Sequence, residues 1–196
     1  LRRTEMRDTP VFAVPSGNFG NLCAGLMAQK MGLKVKAFVA ATNANRTVPD
    51  YLDQGTYRPR PSVPTLSNAM DVGDPSNWPR IEHLFNGNLG ELRAALRWGS
   101  LDDKETRAAL WELQGLGYLA YPHAAVAYGV LRSKLSLSEP AVFLGTAHPA
   151  KFRDVLEGPM GTKIPLPPAL AEVDGKPLQR ETIPKDLNGL KANLPG

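Results

Sequence analysis

The chain has 196 residues, a formal net charge of +4, 42% hydrophobic and 21% charged residues, and a single cysteine, the profile of a globular protein long enough to bury a core. No run of about 18 apolar residues reads as a membrane span, the polar start Leu1-Arg-Arg-Thr-Glu-Met-Arg-Asp8 has no signal-peptide pattern, and a lone Cys23 builds no disulfide framework, so a cytoplasmic protein is expected. The basic residues are spread singly or in pairs rather than gathered into an aromatic-interleaved stripe, which argues against nucleic acid, and the three histidines have no metal-ligand spacing.

Residues 1 to 10 read as the end of a preceding element closed by Pro10, so the chain is expected to be a piece of something longer. Val11 to Val14 is a short apolar, β-branched run suited to a buried strand, and from Asn21 to Met31 the Ala, Leu, Met and Lys content predicts a helix ended by Gly32. Lys34 to Ala40 alternates and ends apolar, as a second strand would. Together these make a βαβ unit, which implies a parallel sheet flanked by helices, with ligands at the C-terminal ends of the strands. Val48 to Gln54 is a short helix ended by Gly55. The Pro-rich stretch Thr56 to Pro64 leads away from the sheet, and Asp71 to Pro79 is loop-like, anchored by a buried Trp78.

Helices are expected at Arg80 to Phe85, at Leu89 to Trp98, and after a cap at Asp102 or Asp103, where Leu110, Leu113 and Leu116 space an apolar face closed by Gly115 and Gly117. The α/β pattern resumes with a strand at Tyr118 to Tyr121, a helix of small residues at Ala124 to Leu135, a strand at Ala141 to Leu144, and a helix at Ala150 to Leu156 led by Pro149. Beyond Gly158 the tail carries one short helix, about Pro184 to Leu194. The expected organisation is therefore an α/β domain from residues 1–55 and 118–158, a mostly helical insertion at 56–117, and a C-terminal tail at 159–196.

The turn Ser16-Gly-Asn-Phe-Gly-Asn21, between the first strand and helix, collects unpaired backbone N–H groups at the positive end of a helix dipole, which suits a phosphate or carboxylate. Gly17 and Gly20 would let the backbone approach an anion or take positive φ; alternatively they only solve a steric problem of an ordinary strand-to-helix turn. No Lys or Arg lies in the turn, which separates it from the GxxxxGK[ST] loop, and the spacing is not GxGxxG. Asn43 and Asn45 suit either an Asx turn or ligand contact. His123 and His148, beside Pro in strand-to-helix turns, are expected to hydrogen-bond the backbone, and His83 to lie on a surface helix. Cys23 reads as a buried small apolar residue, with reactivity near the helix start as the alternative.

Ser16-Gly-Asn-Phe-Gly-Asn21, Ala40-Ala-Thr-Asn-Ala-Asn45, Thr65-Leu-Ser-Asn-Ala-Met-Asp71, Pro122-His-Ala-Ala-Val-Ala127 and Leu144-Gly-Thr-Ala-His-Pro-Ala-Lys-Phe152 follow one another in the chain. In that order they resemble the C-terminal half of the threonine synthases. The resemblance implies a pyridoxal-phosphate enzyme of the tryptophan-synthase-beta-like fold, which converts O-phospho-L-homoserine and water to L-threonine and phosphate. It implies cofactor binding by Gly17, Asn18, Phe19, Gly20 and Asn21 at the phosphate and by Thr146 at the pyridine nitrogen, with Ser16, Asn43 and Asn45 on the substrate side. Arg46 departs from the family, where an acidic or amide residue is common. The Schiff-base lysine of the family belongs to an upstream segment that has no counterpart in this sequence, so the chain alone is expected to be inactive and to need the upstream half of the same protein. Lys151, near Thr146, is on the wrong side of the ring to replace it. Thr146 has an alternative reading as a cap of the Pro149 helix. Another lyase of the same fold, such as a dehydratase, and a non-catalytic phosphate-ligand binding homologue are the competing functions.

Overall fold

The computed structural model describes residues 9–136 and 139–194; the expected preceding element lies outside these as far as residue 8. Four parallel strands form one sheet: β1 (Val11–Pro15), β2 (Ala37–Thr42), β3 (Leu96–Ser100) and β4 (Ala141–Phe143), in the order β3-β2-β1-β4. Ala13 is paired with Val39 on one side and Phe143 on the other. Both central strands are covered on two faces, which explains their near-continuous apolar sequence.

Alternation along the strands divides the core in two. Val14, Phe38 and Ala40 meet Phe19 and, through Leu22 and Leu26, α1 (Gly20–Lys30), together with residues of α2 (Thr47–Gln54), α3 (Trp78–Leu84) and α4 (Leu89–Ala95). Val11, Ala13, Val39 and Ala41 meet Val126, Ala127 and Val130 of α6 (Pro122–Lys134), on which α5 (Asp103–Gly115) packs. Small side chains along α6 let it lie close to the sheet: Ala124, Ala125 and Ala127 have no exposed surface. The start of α5 is fixed by a capping box in which Asp102 accepts from the Glu105 N–H and Glu105 accepts from the Asp102 N–H. Trp78 is fully buried, as its anchoring role requires.

Four features differ from the sequence expectation. The helix expected to run to Trp98 stops at Ala95, and Leu96 turns extended to pair with Phe38 as the start of edge strand β3; pairing with an available strand overrides local helix propensity. Tyr118 to Tyr121 is not a strand. After Gly117 (φ 80°) closes α5, its aromatic residues pack by side chain, Tyr118 on Phe143 and Tyr121 on Phe152, and no ladder forms. Pro149 opens a 3-10 turn, Pro149–Phe152, before α7 (Arg153–Met160). A separate compact unit begins at Pro165 and carries two short helices where one was expected, α8 (Pro168–Ala171) and α9 (Leu187–Ala192).

Candidate functional site

The chain leaves β1 toward β2 and β3 on one side, and later returns to place β4 on the other side of β1. The direction of winding therefore reverses between β1 and β4, and the crevice outside their C-terminal ends is where open α/β sheets take ligands. The turn after β1, the turn after β4 and the N-terminus of α6, which runs back along the sheet, all lie at that edge.

The turn after β1 is tightly built. Ser16 donates its backbone N–H to Ala41 at 2.8 Å and its hydroxyl to the Val14 carbonyl at 2.9 Å. Phe19, buried against Trp78 with ring centroids 5.4 Å apart, adopts the left-handed conformation at φ 61°. This is the positive φ expected of a glycine, and neither Gly17 nor Gly20 has it. Gly17 is required for another reason: a Cβ there would lie 2.5 Å from the Met70 Cα, so two backbones cross in contact. At Gly20 a Cβ would meet only the Asn77 amide nitrogen at 3.5 Å. Asn18 is tied by its side chain to Ser76, donating at 2.9 Å to the hydroxyl and accepting the backbone N–H at 2.6 Å. Its carbonyl accepts from the Asn77 side chain.

The first bond of α1 runs from the Cys23 N–H to the Phe19 carbonyl. The N–H groups of Gly20, Asn21 and Leu22 therefore have no partner within the helix. No side chain caps this end, and its first turn contains no acidic residue. Such a set of free amides at the positive end of an 11-residue helix is matched to an anion. Cys23 is buried, as the apolar reading has it.

Asn43 and Asn45 follow β2, and both are buried. The Asn43 amide donates to Asp71 Oδ1 and the Thr65 hydroxyl, each at 2.8 Å, and to the Ser67 hydroxyl at 3.0 Å. Its oxygen accepts both the backbone and the side-chain N–H of Asn45 at 3.0 Å. Asn45 in turn holds Val63 through both backbone groups and reaches Asp71. Asp71 also accepts from Thr65, at the amide and at the hydroxyl. The two asparagines thus bolt the Thr65–Asp71 segment, with the Met70 backbone that meets Gly17, to the sheet edge. Arg46 points elsewhere, pairing with Asp50.

Thr146 lies exposed in the turn after β4. It does not cap the following turn; His148 does so, its Nδ1 accepting from the Ala150 N–H at 3.1 Å, in line with the structural role expected of that histidine. Tyr121, which nothing in the sequence singled out, organises the turn: its hydroxyl accepts from the Thr146 N–H and from the Ala147 N–H and lies 3.3 Å from the Thr146 hydroxyl. With its lone pairs engaged, the Tyr121 hydroxyl has its hydrogen left for Thr146, which leaves the Thr146 hydrogen free to donate outward. His123 departs from its expected backbone bonding, because neither ring nitrogen has a partner among the described residues although the residue is only 7% exposed. Its ring stands against Tyr121 and Phe152. Burial, reinforced by the Lys151 ammonium and opposed by Asp71, lowers the imidazole to about 4.

Among the described residues no helix is long and apolar enough to cross a membrane, and no group of three or more His, Cys, Asp or Glu could hold a metal ion.

Residues 124–193 match the family model described as "Threonine synthase, C-terminal". The threonine synthase of Haemophilus influenzae is 50% identical over 190 residues, which is 97% of this chain and 44% of that protein. The crystal structure of threonine synthase from Escherichia coli superposes with a TM-score of 0.86 at 48% identity, over 96% of this chain and 44% of that one. The PLP-bound threonine synthase from Brucella melitensis gives 0.81 at 31% identity, over 86% of this chain and 42% of that one. The chain spans less than half the length of these relatives.

Proposed function

We propose that this chain, which by homology belongs to the threonine synthase family, holds pyridoxal phosphate for the conversion of O-phospho-L-homoserine and water to L-threonine and phosphate, in the cytoplasm and together with an upstream part of the same protein that supplies the Schiff-base lysine. What carries the reading is the pair of features flanking the β1/β4 reversal. On one side are the uncapped amides of Gly20, Asn21 and Leu22 beside the left-handed Phe19, and on the other is the outward hydroxyl of Thr146. The donor set fits the cofactor: neutral N–H groups without a competing carboxylate for its phosphate, and a hydroxyl for its pyridine nitrogen.

Pyridoxal phosphate would supply the electron sink that stabilises negative charge developing on the substrate carbons. The chain's own part is binding and orientation. Gly17 to Asn21 would hold the phosphate through the backbone, since the Asn18 side chain is already bound to Ser76. Phe19 fixes the turn by burial beside Trp78. Thr146, oriented by Tyr121, would donate to the ring nitrogen; a hydroxyl leaves that nitrogen unprotonated, where a carboxylate would hold a pyridinium. Ser16, Asn43 and Asn45 are assigned to the substrate side as its wall, because their polar hydrogens are engaged within the chain.

The test is phosphate release from O-phospho-L-homoserine by the complete protein loaded with pyridoxal phosphate, with threonine as the coupled product. Ammonia and 2-oxobutyrate formed from threonine, without phosphate release from the phosphorylated substrate, would identify a dehydratase instead. Neither reaction, with the cofactor still bound, would leave a binding homologue.

A further inference from the structure

The unit that begins at Pro165 has helices but no core. No described residue from Pro165 to Leu194 is buried, and Leu178, Leu187 and Leu194 are more than half exposed. Burial is what offsets the entropy of ordering a chain. An isolated helix shorter than about 12–15 residues is marginal in water and draws its stability from the packing of one face. Helix α9 has six residues, none of them buried.

The unit supports only one side of α9. Asp186 accepts from the Gly189 N–H at 2.7 Å, the Asn193 amide donates to the Gly189 carbonyl at 2.8 Å, and a Cβ at Gly189 would lie 2.9 Å from the Pro184 ring. Leu187, Leu190 and Leu194 recur at i, i+3 and i+7, which puts them in one stripe on the side turned away from Gly189. The stripe runs through a last turn in which the Leu194 N–H bonds to the Lys191 carbonyl, and all three leucines are exposed. Leucines at this spacing are the anchors of a helix laid into an apolar groove.

We propose that α9 is an arm whose stripe of Leu187, Leu190 and Leu194 docks into an apolar groove of the upstream part of the same protein. The inference rests on the existence of that part, as the functional reading does, and on none of its chemistry. The occupant follows from how the unit is shared with relatives. The family match over residues 124–193 takes in α6 and α9 alike. The Escherichia coli structure covers 96% of this chain and so most of the unit, within a single chain of which this one spans 44%. The remainder of such a chain is where a tail without a core finds the apolar surface it lacks. A second copy is disfavoured by area: three leucines on a six-residue helix bury far less than the about 1,200–2,000 Å² of a stable interface between separate molecules. Covalent tethering relaxes that demand by raising the effective concentration of the two surfaces.

The test replaces Leu190 of the complete protein by the photo-crosslinking residue p-benzoylphenylalanine, in an equal mixture of 15N-labelled and unlabelled molecules. Irradiation should join position 190 to a peptide upstream of Leu1, with both peptides carrying the same label. Pairs of mixed label would assign the stripe to a second copy and overturn the proposal. So would same-label pairs confined to residues 1–164, or no crosslink at all. Hydrogen exchange gives a second measurement that needs no photochemistry. The Leu190 and Asn193 amides, which close turns of α9 on Asp186 and Leu190, should exchange at least about a hundredfold more slowly in the complete protein than in open chain. Leu187→Ser combined with Leu190→Ser should abolish that slowing, and protection retained in the double variant would also overturn the proposal. Phosphate release from O-phospho-L-homoserine is followed separately. Its absence with the crosslink in place would refute the functional reading and leave the docking standing, whereas an active enzyme without the crosslink would refute the docking alone.

Discussion

Replacing Gly17 by Ala separates a steric requirement from a conformational one. Gly17 does not have positive φ, so alanine suits its backbone. By itself that change would stabilise the protein by about 0.4–1 kcal/mol, through the smaller entropy of the unfolded chain. The added methyl, however, would sit 2.5 Å from the Met70 Cα and 3.1 Å from the Met70 carbonyl carbon and oxygen. These are backbone atoms, and the segment that carries them is pinned by Asn43, Asn45 and Thr65 around Asp71. Relief must then come from moving one of two buried backbones, and such overpacking costs about 1–3 kcal/mol. The net loss should be about 1–2 kcal/mol, a fall of roughly 2–8 °C in melting temperature for a domain of this size. Gly20→Ala is the control, since its methyl meets nothing closer than 3.5 Å, and it should melt at or slightly above the parent. Urea and thermal unfolding of the three proteins side by side decide the matter. If Gly17→Ala melts with Gly20→Ala, the Met70 crossing is not rigid and close backbone approach is not what requires glycine at position 17.

On the proposed reading, Thr146→Val in the complete protein would remove the donor to the pyridine nitrogen at a cost of about 1–3 kcal/mol, and turnover should drop by about one to two orders of magnitude; unchanged turnover and cofactor absorbance would count against that contact. Asp71→Asn replaces an acceptor serving Asn43, Asn45 and Thr65 by a group with its own donors, and should lower stability by about 2–3 kcal/mol in urea titrations, against little change for Asn18→Ala at the exposed Ser76 contact. Glu139 is held below the usual carboxylate range by the bidentate Arg97 guanidinium, the Ser136 N–H and Lys36. With its folded pKa below its unfolded one, its stabilisation is complete above about pH 4.3 and is lost as pH falls from there through the folded value. Glu139→Gln should flatten the acid limb of the stability profile, and equal acid sensitivity in the two proteins would refute the assignment.

The βαβ core and its flanking helices were legible because they depend on local signals: Val11 to Val14 and Ala37 to Ala41 are apolar runs, and a cap was expected at Asp102 or Asp103, of which the structure uses Asp102. Edge strand β3 was not legible. Leu96 to Ser100 has no run of β-branched residues, and it is extended only because β2 offers an unpaired edge. Tyr118 to Tyr121 failed in the opposite sense: the residues are strand-like, but their side chains find partners on Phe143 and Phe152 while their backbone bonds to neighbouring helices, from the Tyr118 N–H to Leu113 and from the Ala125 N–H to Tyr121, and to no strand.

The same distinction runs through the candidate site. A turn between a strand and a helix can be picked out as a candidate for anion binding because the free amides follow from helix geometry alone, whatever the side chains are. Which side chains remain available to a ligand depends on partners far away in sequence. Asn18, Asn43 and Asn45 have the chemistry of ligand contacts, and all three are bound by segments 18 to 58 residues away. His123 has the sequence setting of a structural histidine, yet neither of its ring nitrogens has a partner among the described residues. Thr146 gains its outward donor from Tyr121, 25 residues upstream. Residue type therefore tells which groups could meet a ligand, and the long-range hydrogen bonds decide which of them are free to do so.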